Sequence, residues 1–478
     1  MEKNVSAPIA AAMKKYSSDG VIAFHTPGHK QGRGAHKLLH ELLTAEGLRQ
    51  EVSLMEELDD LHAPHSCIKE AQDLAAKLWN ADECLFMVNG TTSAVQAMLF
   101  GTLKPGDLVM IPRNAHRSVI AGLILSGAVP IFLPVDFDDE FKLPLNVSVE
   151  TIERAIKKFP QARAVLLVSP NYYGVSADLQ RISKLVHAAG MILLVDEAHG
   201  AHLTFCDELP PSAMEAGADL AAQSTHKILG SLTQSSMLLL RKNFSERVKL
   251  AASLLQTTSP NQLLLASLDI ARLQMQLDGH KKICAAVELS KKLRAEIKNI
   301  HGLKVFDIAN LDPTKVTVNV EGLGLTGQDA EKILRHELKV QCELSDVTNL
   351  LFLITFADDA ETISKLVDAL RCLPRRPSIK IDSFVLSKEI SVAKLSPRET
   401  FYAPVEVVAI NEAVGRICAE EVTFYPPGIP LLMPGEEISA QVVEMIHQST
   451  GRVIGASDST LATIKLVNER GLPNHPMA

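Results

Sequence analysis

The stretch LLVDEAHGAHL, residues 193–203, is a run of apolar residues that ends at Asp196. A short apolar run of this kind is typical of a strand that is buried on both faces of a parallel sheet. Asp196 would then lie at the carboxyl end of the strand, where α/β folds bind their ligands. A buried carboxylate needs a partner. A protonated ring nitrogen of a ligand would provide one, although a helix cap or a metal ligand fits the same position.

Similar apolar runs recur between about residues 68 and 252, and helical patterns separate them. The predicted strands are residues 83–88, 107–112, 130–135, 164–170, 191–197 and 235–240. The intervening helices include TSAVQAMLFGTL and LQRISKLVHAAG, of which the second ends at Gly190. Repeated alternation of strand and helix predicts a doubly wound α/β fold whose loops gather at the carboxyl ends of the strands.

A long helix is predicted from about residue 262 to 300, followed by a smaller α+β region and a turn-rich C-terminal region. The stretch LPRRPSIKID, residues 373–382, is typical of a linker. The predicted domains are an N-terminal arm with an active-site segment, a large domain, a small α+β domain and a C-terminal domain, at residues 1–67, 68–285, 286–375 and 376–478.

The composition is that of an ordinary globular protein, with 478 residues, of which 46% are hydrophobic and 22% charged. The net charge of −8 argues against nucleic acid or an anionic membrane surface as the main partner. The N-terminus is too polar for a secretory signal, and no apolar run reaches the roughly 18 residues of a membrane span. The seven scattered cysteines contain no CxxC pair, which favours reduced thiols and a cytoplasmic location.

A possible phosphate site follows the first predicted strand, in VNGTTSAVQAM, residues 88–98. Gly90 turns the chain, and Thr91, Thr92 and Ser93 open a helix. The free N–H groups and positive dipole end of a helix start favour an anion, and hydroxyl groups add donors. The same residues can also serve only as a helix cap.

Lys227 lies in STHKILGSLTQSS, residues 224–236, among hydroxyl groups rather than charges. A lysine in a desolvated setting loses its proton more easily and can form a Schiff base, although a single lysine is more often structural or solvated. The chain order of hydroxyl-rich loop, strand-end aspartate and loop lysine meets three requirements of pyridoxal 5′-phosphate (PLP): a phosphate anchor, a partner for the ring nitrogen and an amine.

Over essentially its whole length the sequence resembles the fold-type-I PLP enzymes, and among them the Orn/Lys/Arg decarboxylase family. The motifs that carry the resemblance are FHTPGHKQG (24–32), LDDLHAP (58–64), NGTTSA (89–94), IPRNAHRS (111–118), VDEAHGAH (195–202), STHKILGSLTQSS (224–236), TTSPNQLLLASLD (257–269) and YPPGIPLLMPGE (425–436). It implies a PLP-binding large domain with a mainly parallel sheet, a small α+β domain and a C-terminal decarboxylase-type domain.

The resemblance also implies roles for individual residues. Lys227 would form the Schiff base, Asp196 would pair with the pyridine nitrogen, and His116 would stack on the ring. His226 or Lys227 would return a proton to the α-carbon, and Glu436 would bind a cationic substrate side chain, although it could equally be a surface residue at a helix start. The implied cofactor contacts are Thr91, Thr92, His116, Asp196, Ala198, His199, Ser224, His226, Lys227 and Thr258, the last (or Thr257) from a neighbouring subunit.

The expected activity is decarboxylation of arginine, lysine or ornithine to carbon dioxide and an amine used in polyamine synthesis. Arginine or lysine is favoured because the short form, without an N-terminal wing domain, resembles biosynthetic enzymes. A homodimer or larger homo-oligomer is expected. No metal is predicted, since the histidine spacings match no familiar zinc site. The alternatives are another fold-type-I activity, such as an aminotransferase or a cysteine-desulfurase-like lyase, and a non-enzymatic scaffold that binds PLP.

Overall fold

The computed structural model describes residues 5–378, 388–425, 429–448 and 452–471. The chain divides into two compact units. The first unit consists of Met1–Thr102 and Val195–Cys284, and the second consists of Leu103–Leu194 and Ala285–Ala478.

Helices and strands alternate through most of the chain, as the apolar runs predict. The helices are α1 (Pro8–Ser18), α2 (Lys37–Leu42), α3 (Ala45–Gln50), α4 (Cys67–Leu78), α5 (Gly90–Thr102), α6 (Arg117–Ser126), α7 (Val149–Lys158), α8 (Leu179–Ala188), α9 (Thr225–Ile228), α10 (Ser245–Leu255), α11 (Gln262–Lys298), α12 (Gly327–His336), α13 (Ala360–Arg371), α14 (Pro397–Tyr402) and α15 (Ala440–Gln448). The strands are β1 (Glu83–Met87), β2 (Leu108–Pro112), β3 (Val129–Leu133), β4 (Phe137–Asp138), β5 (Leu143–Pro144), β6 (Ala164–Val168), β7 (Ile192–Asp196), β8 (Leu220–Gln223), β9 (Ser236–Leu240), β10 (Lys304–Val305), β11 (Lys315–Asn319), β12 (Leu344–Ser345), β13 (Asn349–Leu353), β14 (Ser391–Val392), β15 (Val405–Ala409), β16 (Val422–Tyr425), β17 (Pro430–Leu432), β18 (Arg452–Ile454) and β19 (Thr463–Val467).

In the first unit, β9 pairs antiparallel with β1 on one side and with β8 on the other. Residues of β8 and β9 are buried throughout, as expected for strands with covered faces. Strand β7 passes from the second unit into the first and ends at Asp196. The carboxyl end of β7 and the loop that precedes β9 therefore belong to the same unit.

The second unit contains the parallel pairing that the continuous apolar runs predict. Strand β2 is parallel to both β3 and β6, and the short β14 adds to β3 in the antiparallel direction. A separate sheet with the order β10-β11-β13-β12 packs with helices α12 and α13 around an apolar core. The C-terminal residues form a further core of their own, which lies around β16, β17 and β19. The four predicted domain ranges stay predictions.

Three features differ from the expectations. The sequence shows no clear signal for β8, because its four residues include two alanines and a glutamine. The strand expected near residues 340–345 is shorter in the structure and consists only of β12. Cys206 and Cys284 form a disulfide, so the expectation of reduced thiols is wrong for this pair, whereas the other five cysteines are free. Residues 379–382 of the predicted linker and 426–428 of the last motif lie outside the described residues.

Helix α5 packs closely against α10 at Gly101. A Cβ atom at this position would lie 2.8 Å from Cα of Val248, so the helices would have to separate. Alanine favours a helix by about 1 kcal/mol over glycine. We expect the clash to outweigh this gain, because overpacking costs about 1–3 kcal/mol. Gly101→Ala should therefore lower the thermal midpoint of unfolding, and Gly28→Ala is the control, since its Cβ would meet no atom within 4 Å. An unchanged midpoint for Gly101→Ala would contradict this packing.

Candidate active site

Three hydroxyl groups meet at the start of α5 in the first unit. Thr91 Oγ1 lies 2.5 Å from Ser224 Oγ and 2.8 Å from Ser236 Oγ. Gly90, with φ at 75°, allows the turn from β1 into the helix. Hydroxyl groups beside the free N–H groups of a helix start form a suitable site for a phosphate. Ser236 was not predicted as a site residue. It lies in a predicted strand, and the strand pattern alone does not show which distant side chains its hydroxyl contacts.

Asp196 ends strand β7, as predicted, and its side chain is buried. The N–H of Ala198 donates to Asp196 Oδ1 at 3.2 Å. The N–H of Gly200 donates to the carbonyl of Glu197 at 2.9 Å and closes the turn that contains Ala198 and His199. The strand end thus carries a buried carboxylate, and the turn that follows it carries an imidazole three residues later.

Lys227 lies in the single helical turn α9, and its amine faces His199. The Lys227 Nζ atom is 3.0 Å from His199 Nε2, and the N–H of Lys227 donates to the carbonyl of Ser224 at 3.1 Å. Two positive charges at this distance would repel each other, so the contact suits a hydrogen bond in which one of the two groups donates and the other accepts. An amine that is held in this way can act as a nucleophile and can exchange protons with its neighbour.

His226 is oriented by a hydrogen bond from Nδ1 to the carbonyl of Ser235, at 2.7 Å. Because this bond uses the N–H at Nδ1, Nε2 is the acceptor when the ring is neutral. The neighbouring Thr225 is fully buried, and its hydroxyl has no hydrogen-bond partner within the described part of the chain. The segment that contains Ser224 therefore includes a hydroxyl group whose hydrogen-bonding positions are not used by the described residues, as is common at a ligand site.

The structure does not bring every predicted residue into this cluster. Thr92 is exposed on the first turn of α5. Thr257 and Thr258 are exposed just after α10. His116 belongs to the second unit, where its Nδ1 accepts from the N–H of Ser118 at 3.2 Å and caps α6. The predicted role of His116 on the cofactor ring stays a prediction.

Glu436, predicted to bind the substrate, is buried in the second unit and pairs with Arg113. Its Oε1 accepts from Arg113 Nη2 at 2.6 Å and from Ser391 Oγ at 2.7 Å. Its Oε2 accepts from Arg113 Nη1 and from the N–H of Met433, both at 3.0 Å. A carboxylate has about four acceptor positions. All of them are used by the protein itself, so this arrangement leaves none for the side chain of a substrate.

Two N-terminal histidines, His25 and His29, make hydrogen bonds to side chains of neighbouring segments. His25 Nε2 is 2.8 Å from the hydroxyl of Tyr16, and His29 Nε2 is 2.8 Å from Glu51 Oε2. Asp59, an acidic residue of the motif at residues 58–64, accepts backbone N–H groups at the start of α4, including that of Ile68 at 3.0 Å. These contacts support structural roles for the three residues.

Comparison with known proteins identifies the family of this chain. Residues 7–311 match the family described as Orn/Lys/Arg decarboxylase, major domain, and residues 387–449 match the C-terminal domain of the same family. The chain belongs to the Orn/Lys/Arg decarboxylase family. The match includes the loops of Asp196 and Lys227 as well as the segment of Glu436.

Similar members of the family cover almost the whole chain. The arginine decarboxylase of Bacillus subtilis is 40% identical over 97% of this chain and 98% of its own length. The arginine decarboxylase of Halalkalibacterium halodurans is 37% identical over 98% of this chain and 99% of its own length. Lysine decarboxylase LdcA of Pseudomonas aeruginosa is 24% identical, over 90% of this chain and 74% of its own length.

Solved structures confirm the predicted fold class. Lysine decarboxylase A from Pseudomonas aeruginosa superposes with a TM-score of 0.81 at 22% identity, covering 97% of this chain and 81% of its own. An alanine–glyoxylate aminotransferase from Nostoc gives a TM-score of 0.53 at 19% identity, covering 64% of this chain and 85% of its own. The chain thus has the fold of these enzymes, which is the predicted fold-type-I architecture. No described helix combines the length and apolar character needed to cross a membrane.

Proposed function

We propose that this protein is an arginine decarboxylase that uses PLP. The observation that carries the proposal is the first-unit cluster in which Lys227 Nζ is 3.0 Å from His199 Nε2. The carboxylate of Asp196 and the hydroxyl cluster belong to the same unit. Arginine is favoured over lysine because the relatives at 37–40% identity are arginine decarboxylases, whereas the lysine decarboxylase LdcA is only 24% identical.

The residues of the cluster fit the chemistry of PLP. The hydroxyls of Thr91, Ser224 and Ser236 would hold the phosphate, and the helix start would add N–H donors. Asp196 would keep the ring nitrogen protonated, and its burial would strengthen that charge interaction. Lys227 would hold the aldehyde carbon covalently. When bound, PLP supplies an electron sink for the electron pair that remains after carbon dioxide leaves.

The remaining work of the protein is positioning and proton transfer. Lys227 must give up its proton to act as an amine, and the imidazole of His199 at 3.0 Å is placed to accept it. Ala198, at the centre of the turn after Asp196, would lie against the ring. His226 is a second candidate to donate the proton that replaces the carboxylate, because its hydrogen bond to Ser235 fixes its orientation. We propose these roles for His199, Ala198 and His226, and we also propose that His116 stacks on the face of the PLP ring.

We also propose that the active form is a homodimer and that Thr258 contributes to the phosphate site of the second subunit. The support is its location, since Thr258 is exposed just after α10 rather than directed into its own cluster. Amino acids with a cationic side chain are the proposed substrates. The acidic group that binds that side chain is not Glu436 in our proposal, because its acceptor positions are already used.

The proposal is tested by a product screen. Purified protein with added PLP is supplied with arginine, lysine or ornithine, and carbon dioxide and amine are measured together. We expect agmatine and carbon dioxide in equal amounts from arginine, with kcat/KM higher by about a hundredfold or more than for lysine. A preference for lysine or ornithine would overturn the choice of substrate but leave the decarboxylase proposal in place. Release of no carbon dioxide from any of the three would overturn both.

The aminotransferase alternative predicts a different product, a keto acid formed with 2-oxoglutarate and without carbon dioxide. It would need a cation for the substrate carboxylate. Among the arginines near the end of the small domain, Arg371 is exposed and pairs with Glu296 at 2.9 Å, and Arg375 is exposed and contacts His301 at 2.9 Å. These surface contacts, together with the C-terminal domain of the family, favour decarboxylation.

A further inference from the structure

Glu197 is a fully buried carboxyl group that none of the roles above uses. It follows Asp196 directly, and its N–H donates to the carbonyl of Ala222 at 2.9 Å, which continues the strand by one residue. Because successive residues of a strand face opposite sides, the side chain of Glu197 lies away from that of Asp196. It therefore contacts a different set of groups.

Two donors hold the carboxyl group of Glu197. The N–H of Ala213 donates to Oε1 at 2.6 Å, and Gln223 Nε2 donates to Oε2 at 2.7 Å. Gln223 is also fully buried, and it is the last residue of β8. The carboxyl group thus joins the end of β7 to the end of β8.

Gln223 connects this contact to the hydroxyl cluster. It immediately precedes Ser224, and its carbonyl accepts from Ser236 Oγ at 2.7 Å. Ser236 in turn contacts Thr91, which contacts Ser224. The side chain of Gln223 is therefore fixed by Glu197, while its backbone is fixed by the cluster. Any displacement of Gln223 would move Ser224 and the turn that carries Lys227.

We propose that Glu197 is a positioning residue for the cofactor site: through Gln223 it fixes the hydroxyl groups that would bind the phosphate and the turn that carries Lys227. The inference rests on the proposed function in one respect, which is the identity of the ligand as PLP. The placement of the turn can be measured without a ligand, so the two proposals can fail separately.

The neutral form of Glu197 is the one that performs this role at neutral pH. Burial raises the pKa of its carboxyl group to about 8, although the hydrogen bonds from Gln223 and Ala213 act against this increase and the negative charge of Glu215 adds to it. Glu215 lies on the segment that carries Ala213, Asp196 is adjacent on the same strand, and Gln223 on β8 is uncharged. A glutamine at position 197 would preserve the shape and the neutral charge. Its oxygen would accept from the N–H of Ala213, and its NH2 would donate to Gln223 Oε1 once that amide turns over, since this oxygen has no hydrogen-bond partner among the described residues.

The pKa shift has a defined consequence for stability. The pKa of this carboxyl group is about 8 in the folded protein against an ordinary value of 4.5, so the folded state binds the proton more tightly. The free energy of unfolding that this group contributes is complete below pH 4.5 and is lost as the pH rises to about 8. The thermal midpoint of the wild type should therefore fall between pH 4.5 and about 8, relative to the midpoint of Glu197→Gln, whose side chain cannot ionise.

The experiment compares Glu197→Gln and Glu197→Met, with Glu215→Gln as the control because Glu215 is an exposed acid on the same segment. Glu197→Met leaves the N–H groups of Ala213 and Gln223 without acceptors. We expect it to raise the dissociation constant of PLP by about tenfold or more. It should also accelerate hydrogen–deuterium exchange in the peptide that covers residues 224–236 of the cofactor-free protein. Glu197→Gln and Glu215→Gln should stay close to the wild type in both measurements.

Glu197→Met with wild-type exchange at residues 224–236 would overturn the proposal. Midpoints of the wild type and Glu197→Gln that run parallel between pH 4.5 and 8 would overturn the neutral form of Glu197. If Glu197→Met does not fold, Glu197→Asp takes its place, since its acid is one methylene shorter and cannot reach both donors. If the wild type binds no PLP, the proposed function fails, and the exchange of the cofactor-free protein still decides the role of Glu197.

Discussion

Lys227→Ala is expected to lower kcat for decarboxylation by about a thousandfold or more, because the same amine serves as the nucleophile and as a proton carrier. Arginine should still bind, since the variant removes no charge partner of the substrate in our proposal. Reduction of the wild type with borohydride followed by peptide mass spectrometry should find PLP attached to Lys227. The variant should show no such attachment.

The control for this experiment is Lys242→Ala, which removes an exposed lysine from the same unit. It should retain both activity and labelling. Labelling of another lysine in the wild type, or a Lys227→Ala variant within a few fold of the wild-type rate, would show that the pair of Lys227 and His199 is not the reactive centre. His199 should then lose its proposed function as well.

Glu436→Leu is expected to lower the free energy of unfolding by about 3–5 kcal/mol, because it leaves the guanidinium group of Arg113 buried without its partner. Both side chains are buried in the structure, at 9% and 7% exposure. Arg113 also lies 5.0 Å from the ring centroid of Phe132, which keeps it in place beside β3. The loss should be visible in denaturant unfolding.

The double variant Arg113→Met, Glu436→Leu should recover most of this loss, since replacement of a buried ion pair by apolar residues is often close to neutral. Glu437→Gln is the matched control and should change stability by less than about 0.5 kcal/mol, because Glu437 is exposed and its ion pair with Lys394 spans 3.5 Å. A Glu436→Gln variant with normal stability but a much increased KM for arginine would instead restore Glu436 as a substrate ligand.

The parallel strands β2, β3 and β6 were predictable because they are apolar along almost their whole length. The predicted strand at residues 164–170 is β6, and the predicted helix at residues 262–300 is α11. Strand β8 was not predictable, since a four-residue strand of small and polar residues is stabilised by its neighbours rather than by its own sequence. The pairing of Cys206 with Cys284 was missed for a similar reason, because the fold brings together residues that are 78 positions apart.

In the candidate site, the residues that could be predicted are those whose role is visible in the local sequence. Asp196 at a strand end, Thr91 at a helix start and Lys227 in a neutral loop each have a local signal. Ser236 and Gln223 have none, because their importance comes from contacts with distant segments. Arg113 was missed for the same reason: a buried arginine becomes informative only when its carboxylate partner is known.

The disulfide between Cys206 and Cys284 makes part of the chain a covalent ring. The ring spans 78 positions and contains Ser224, Lys227 and the exposed residues after α10. Such a closure restricts the unfolded chain by about 4.5 kcal/mol in the loop-entropy description. A protease that cuts once within the ring would leave both fragments joined, and they would separate on a gel only after treatment with a reductant.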